Sequence, residues 1–570
     1  MKLFAFLRLI GLGIWVAVLP HSSAAQSWQW AVTPTNNTTS FAEVNAIAPD
    51  KDGTTVVAGA FSGNITLGRF TLTSASQLDV FVGRLDAAGN WLQATRAGNG
   101  SDCRATAVVI DANGTIIVGG LFTGVTMTFG AFTLANAYTY PIGSTSDVFV
   151  APMNRAGVWT QAVRAGGVGH DLVTALKLDG QGNVVVGGVF GSPLAGFGSI
   201  QLTNANTTSS SGVDDIFVAR LSSTGAWLQA VGAGGSNHEN LTSLAVDSDG
   251  SIVVAGYYAS PVANFGAFAL PLVGRDSDAF VARLNTNGIW TAATRLGGIY
   301  FDGISGLALT SSGTAVVSGA FYSPTLTVGN QVLTNNDNTG HSTDVFVAYL
   351  DRSGTWTHAA SGGGSGSDSA TRITIGADGS VLVGGYFSGS ARFGPSTLQS
   401  AGGDDIFIAR LSPTATWSHL QQAGGSGFDV LLDIYASDST NLTIAGRVGT
   451  PSAQFPPYTL ANNNPRYENA YVAHQGNGLT SGPLLPMPAM TIPNIITPND
   501  DGQNDLFQFD HAPPVALSLR VFNRWGKQVY ASADYQQDWD ARDLPAGPYY
   551  YYLERADGAV PSKGWLEVVR

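Results

Sequence analysis

The sequence predicts an all-β fold, and three observations carry that prediction: a repeated unit, short apolar runs punctuated by glycine, and no segment between those runs with helical periodicity. Trp28, Trp91, Trp159, Trp227, Trp290, Trp356 and Trp417 recur at intervals of 61 to 68 residues, and each opens a similar stretch. Runs of Val, Ile, Phe and Ala bounded by Gly, Asn and Asp read as short strands. Four strands per repeat match one propeller blade, which has too little apolar face to stand alone, so neighbouring blades must supply the core. Seven units from Trp28 to about His474 therefore predict a seven-bladed β-propeller.

In chain order, Lys2 and Arg8 precede the apolar run Leu9 to Leu19, and Ser23-Ala24-Ala25 offers small residues for cleavage, so residues 1–25 read as a secretory signal peptide. Each repeat then follows one plan. After the Trp strand come a Gly-Gly turn such as Gly166-Gly167 and a strand such as Leu172 to Leu178. A tight turn such as Asp179 to Asn183, of the Gly and Asn types that tolerate positive φ, leads to the strand Val184 to Phe190. A looser Phe-Gly segment (Phe197-Gly198) precedes the last strand, Asp215 to Leu221. The array begins with a Trp strand and ends with an Asp215-type strand at Asn469 to His474, so the two ends are complementary, and Ser27 to Val32 is expected to complete the last blade.

Of 570 residues 12% are charged and 71 are glycine, which suits one large repeat domain, residues 26–477, whose surface is solvated by Ser, Thr and Asn. The net charge of −13 and the scattering of the 27 basic residues exclude nucleic acid as a partner. Past the leader no run approaches 18 uninterrupted apolar residues, so no transmembrane segment is expected in the mature chain. Cys103 is the single cysteine, so no internal disulfide can form, and a buried thiol is expected.

The Gly-Gly-x-x-x-Asp turn, the Asp-x-x-Gly-Asn-hydrophobic hairpin and the following Gly make the array resemble the bacterial SBBP β-propeller repeat family over residues 28 to 474. The resemblance speaks to fold and not to chemistry. A Pro-rich linker, residues 478–490, ends the array, and a new domain, residues 491–570, follows. Alternating stretches such as Leu517 to Phe522 and Tyr549 to Leu553 predict a small C-terminal antiparallel β-sandwich.

Four motifs stand in this tail: Pro498-Asn499-Asp500-Asp501-Gly502-Gln503-Asn504-Asp505, then Asn523-Arg524-Trp525-Gly526, Gly547, and Lys563-Gly564. In this order they resemble the gliding-motility-associated C-terminal domain, the type B sorting signal of the type IX secretion system of Bacteroidetes. Asp500 and Trp565 depart from the family pattern. The resemblance implies the type IX machinery as a partner, passage through the periplasm, and release to the medium or the outer cell surface. Asn499, Asp501, Asn504 and Asp505 crowd oxygen ligands together, so calcium is an open alternative to simple loop shaping there. No other cofactor is expected.

Chemistry has to be sought where residues depart from the repeat. Asp171, Glu239, Asp302, Asp368 and Asp429 hold one recurring position, and Asp79, Asp147, Asp215, Asp278, Asp344 and Asp405 hold another. Acids filled in nearly every repeat are expected to accept turn N–H bonds rather than catalyse. His170 and His238, beside Asp171 and Glu239, are the best local irregularity. A His-carboxylate neighbour pair could bind a ligand or act as an acid, although Phe301 and Phe428 at the same place suggest a partly buried packing position. No Gly-x-Ser-x-Gly, Walker, His-Glu-x-x-His or Cys-x-x-Cys motif occurs. Long polar loops on a rigid ring suit binding of an extracellular glycan or surface protein, as in an adhesion module. The alternative is an extracellular carbohydrate-active hydrolase or lyase, for which His170, Asp171, His238 and Glu239 are the first candidates.

Overall fold

The computed structural model describes residues 27–476 and 492–570, apart from 37–38, 76, 100–101, 138–144, 207–212, 338, 377–378, 438–440, 465–466, 500–503, 510–516, 534, 537 and 556–561. The expected signal peptide and linker, with Asp501 and Gly502, lie outside the described residues. The chain divides into two compact units, Met1–Gly478 and Leu479–Arg570. All described regular structure is β.

The array repeats one antiparallel sheet of four strands. In the third repeat the order is Asp171–Leu178, Val184–Phe190, Asp215–Leu221 and Trp227–Ala233. The same order starts at Phe41, Cys103, Glu239, Asp302 and Asp368, and the sheets of the last two are linked where Gly363 and Gly364 pair with Arg392 and Ala391. Val184–Phe190 and Asp215–Leu221 are buried along their whole length, as strands covered on both faces must be. The first strands line a common cavity of about 540 Å³ to which all seven repeats contribute.

Every first strand bulges at the same place, and every second strand answers with a glycine. In the third repeat the bulge falls between Val173 and Ala175, leaving Thr174 as the extra residue. A Cβ on Gly188 would overlap the Leu172 carbonyl oxygen and press on the Phe217 ring; Gly59, Gly120, Gly256, Gly319, Gly385 and Gly446 are equally tight against the backbone of their own first strands. In the first, second, fourth and sixth repeats the extra residue reaches into the next repeat. Thr106 Oγ1 donates to the Val173 carbonyl at 2.6 Å, and Thr242 and Thr371 donate to those of Ile304 and Leu431 at 2.7 Å.

The Phe-Gly segment differs from the sequence expectation. It is an ordered hairpin in which Leu194–Phe197 pairs with Ile200–Thr203, and Gly198 takes the positive φ, 62°, that the first turn residue needs. Its phenylalanine packs edge-on against the outer-strand tryptophan: Phe197 and Trp227 centroids lie 5.2 Å apart, Phe265 and Trp290 5.3 Å. The Trp227 indole N–H donates to the Arg164 carbonyl of the previous repeat at 3.2 Å, and Trp417 to that of Ser361 at 2.9 Å. These tryptophans join repeats.

The last repeat takes its fourth strand from the other end of the array. Trp28–Val32 pairs antiparallel with Asn469–Gln475, Trp28 against Gln475 and Val32 against Val472. Trp28 meets Phe455 edge-on, and Trp30 stacks on His474 at 5.4 Å. Asp433 Oδ2 accepts the Ile47 N–H at 2.7 Å, and Asn464 Nδ2 donates to the Ser40 carbonyl at 3.1 Å, so the first and seventh repeats also touch through side chains.

The C-terminal unit corrects the sandwich expectation. Its described strands form one mixed sheet, ordered Ile495–Ile496, Ser562–Val568, Gly547–Arg555, Leu517–Asn523 and Gln528–Ser532, with the first pair parallel. Phe507, Phe509, Tyr535 and Trp539 cover its apolar face in place of a second sheet. Period-two alternation reports that one face is buried, not what buries it.

Deleting residues 26–34 should lower the melting temperature sharply, since it bares the edge of Asn469–Gln475 and removes Trp28 and Trp30 from the core, each on the order of 3 kcal/mol. Differential scanning calorimetry that finds an unchanged melting temperature would disprove the role of this strand.

Candidate functional site

Each Gly-Gly turn passes the chain from an outer strand to the next first strand, and a buried acid heads that strand. Asp171, Glu239, Asp368 and Asp429 accept the N–H of Gly167, Gly235, Gly364 and Gly425 at 2.7 Å, and Asp302 that of Gly298 at 2.6 Å. Ser192 Oγ adds a bond to Asp171 at 2.6 Å. The second recurring acid faces it from the preceding repeat: Asp147, Asp215, Asp278, Asp344 and Asp405 accept N–H groups of Ala137, Ala205, Val273, Asn336 and Ala401 at 2.6 to 2.9 Å. A Cβ on Gly166 would meet the carboxylates of both Asp147 and Asp171, so each pair shares the space a glycine leaves open.

Burial pushes the Asp171 carboxyl up to about 7 and those of Glu239 and Asp368 up to about 8; the facing Asp147, Asp215 and Asp344 add to the effect, and the turn N–H bonds oppose it. Buried Ala42 and Cys103 stand at this position in the first two repeats. Asp171 and Glu239 thus serve the junctions between repeats, and the structure separates their duty from that of their neighbours His170 and His238.

Both histidines are exposed, which corrects the expected packing role; Phe428 at the same place in the seventh repeat is 62% exposed. They lie at a loop-bearing rim that does not need to bury them. His238 Nδ1 is 3.3 Å from Asp214 Oδ2, and His170 Nδ1 is 3.5 Å from Ser146 Oγ. Burial raises the Asp214 carboxyl, and the His238 bond and the charge of both rings oppose this, so Asp214 is the point the two histidines share. The sequence held a signal for it: Asp214-Asp215 and Asp404-Asp405 are doublets where other repeats have Leu78, Ser146, Ser277 or Thr343 before the recurring acid.

Aromatic residues continue this rim. Tyr257 and Phe301 centroids lie 5.2 Å apart, and Phe301 meets Tyr322 at 6.1 Å, both edge-on. Tyr257 and Tyr386 occupy the second-strand position where other repeats place Ala60, Leu121, Val189, Ala320 and Arg447. Burial raises both phenols, and hydrogen bonds to Asn240 and Ser369 oppose it. The opposite arc is charged: Arg447 contacts Glu468 at 3.0 Å and Glu43 at 3.5 Å, and Arg104 contacts Glu43 at 3.0 Å. Between the arcs a cavity of about 510 Å³ is bordered by Glu43, Arg104, Leu172, Asn240 and Thr371. Flat aromatic faces beside hydrogen-bonding carboxylates, amides and imidazoles can take a ligand that is part apolar and part hydroxylated.

In the C-terminal unit the motif residues shape turns. Asn523 Oδ1 accepts the N–H groups of Trp525 and Lys527 at 3.0 Å, Gly526 takes φ 78°, and Arg524 lies over the exposed Trp525 ring at 5.2 Å. Gly547 starts its strand at φ 136°. Lys563 and Gly564 pair with Tyr552 and Tyr551. Beyond Pro498, Asp505 Oδ1 accepts the Asn499 N–H at 2.9 Å, and Asn504 is left-handed at φ 54°. Among the described residues no group of three His, Cys, Asp or Glu is placed for a metal.

Residues 490–568 match the CHU_C type IX secretion signal domain. No curated protein matches the chain. Among solved structures, a protein of unknown function from Dyadobacter fermentans is 11% identical with a TM-score of 0.35, covering 78% of this chain and 97% of its own. PorZ, a surface component of the type IX secretion system of Porphyromonas gingivalis, is 10% identical with a TM-score of 0.22, covering 92% of this chain and 81% of its own. Among the described residues no helix is long and apolar enough to cross a membrane. The C-terminal signal marks the chain as cargo of the type IX machinery, secreted to the cell surface or extracellular space.

The paired acids give stability a defined pH dependence. With carboxyl groups raised to about 6 to 8, the folded chain keeps protons that the unfolded chain releases above pH 4, so stability is greatest on the acid side and falls as pH rises through that range. Melting temperatures from pH 5 to 9 should decline, and Asp368→Asn should flatten the decline; a profile rising with pH contradicts the assignment.

Proposed function

We propose that residues 26–477 form a seven-bladed β-propeller of the SBBP-repeat type, exported behind a cleaved leader of residues 1–25 and joined by a linker, residues 478–490, to the sorting domain. The seven similar sheets, the common cavity and the pairing of Trp28–Val32 with Asn469–Gln475 support this reading. The propeller works outside the cell as a non-catalytic recognition module, an adhesin or scaffold, and its ligand is a glycan.

One observation carries the ligand class: Tyr257, Phe301 and Tyr322 cluster on the rim next to Asn240, Asp214 and His238, all in repeats three to five. Apolar sugar faces stack on aromatic rings while hydroxyls bond to amides and carboxylates, and a position that breaks the sevenfold pattern is free of the duty the pattern serves. The hydrolase or lyase alternative has its foothold in the His238–Asp214 pair, because Asp171 and Glu239 are spent on their turns.

The secreted protein presented to a polysaccharide array, with bound protein and released sugar both recorded, decides between these. Binding without release is expected, and Tyr257→Ala with Phe301→Ala should weaken it about tenfold. Released sugar would make the protein an enzyme, and retention on protein partners alone would move the ligand from glycan to surface protein.

For export, deleting residues 491–570 should leave a folded propeller in the periplasm. Normal appearance of the truncated protein in the medium, read by fractionation and immunoblot, would contradict the sorting role.

A further inference from the structure

The cavity along the first strands is built almost wholly from small and uncharged residues. At one level its wall carries Ala46, Ala107, Ala175 and Ser243, and two strands break the pattern with Arg372 and Asp433. Two residues further along each strand, Ala48, Val109, Ala245, Ala308, Thr374 and Tyr435 stand level with Lys177. These three are the charged residues lining a space of about 540 Å³.

Their charges do not balance. Asp433 is engaged on its own side: Arg372 Nε lies 3.8 Å from Oδ1, and Oδ2 accepts the Ile47 N–H at 2.7 Å. Arg372 Nη1 donates to the Thr371 carbonyl at 3.0 Å and the Ser305 carbonyl at 3.4 Å, which fixes the guanidinium against the wall. Lys177 is exposed to the cavity and walled in by protein; this desolvation lowers the amine, Asp433 opposes the lowering, and Arg372 adds to it. Two cations and one anion leave a single positive charge in a chain whose net charge is −13. An unbalanced cation walled in by protein is costly without an anion beside it, and such walls focus its field on whatever enters.

We propose that this chamber is a binding site for a small organic carboxylate, with the Lys177 ammonium as its counter-ion, Arg372 as second cation and the space beside the alanine-bearing wall for its body. Volume and lining suit a hexuronate, a sugar acid, better than a flat aromatic acid, because Thr374 and Ser243 carry hydroxyls and no aromatic pair among the lining residues forms a slot. The chamber adjoins the cavity between the arcs of the rim and shares Asn45, Thr106, Thr174, Thr242 and Arg372 with it, but Lys177 lines only the chamber, so the Lys177 variants separate this proposal from the glycan reading.

Isothermal titration of the full secreted protein with D-glucuronate, acetate, inorganic phosphate and D-glucose at pH 7 tests it. Saturable binding of glucuronate and none of glucose is expected, and Lys177→Met should weaken it at least tenfold while Lys177→Arg retains it. Equal binding of acetate would support a general carboxylate site rather than a sugar-acid site. No saturable heat with either carboxylate, or phosphate binding alone, would overturn the proposal. Should Lys177→Met fail to fold, the parent protein still decides: affinity must fall as pH rises through the lowered amine range, and an affinity constant to pH 10 overturns the assignment.

Discussion

The close approach between first and second strand is the constraint on which the array depends. Seven glycines, from Gly59 to Gly446, lie so near the facing carbonyl that no side chain fits, and that nearness lets the first strand bulge. In four of the repeats the bulge turns a threonine or asparagine out of the sheet and toward the neighbouring repeat. Packing within a repeat and stitching between repeats are therefore one feature. A sheet of four short strands cannot fill its own core, so the coupling is a condition of folding at all.

The junction acids extend the same logic. A glycine turn admits two carboxylates at once, and their burial is tolerated because turn N–H groups and a seryl hydroxyl meet them. Repetition made these acids legible as structural from sequence: a residue present in most repeats serves the repeat. The same reasoning found the tryptophans and the strand order, because periodicity survives in one dimension. It missed the hairpin at Phe197-Gly198, whose strands of four residues are too short to show alternation, and it misjudged the cover of the C-terminal sheet, which comes from irregular chain around Phe507 and Trp539.

The rim was partly legible. His170 and His238 stood out as departures from the pattern, and both are exposed. Their sequence neighbours Asp171 and Glu239 were misleading partners, since those buried carboxylates are turned to the N–H groups of Gly167 and Gly235. The carboxylate that meets His238 is Asp214, 24 residues earlier. Tyr257, Phe301 and Tyr322 come from strands and turns whose convergence only the three-dimensional arrangement reveals. The charged trio in the cavity was hidden for the same reason: Lys177, Arg372 and Asp433 belong to three different repeats.

The pairing of the first strand with the last joins residues 437 positions apart, as the bond from Thr33 to the Ala470 carbonyl marks. Synthesis delivers Trp28–Val32 first and its partner Asn469–Gln475 after every other strand of the array. A chain broken off anywhere short of Gln475 keeps a naked sheet edge, sticky to other chains. A full-length copy has that edge covered, and the sorting signal follows Asn469–Gln475 in the chain, so it is made only after the last strand of the array.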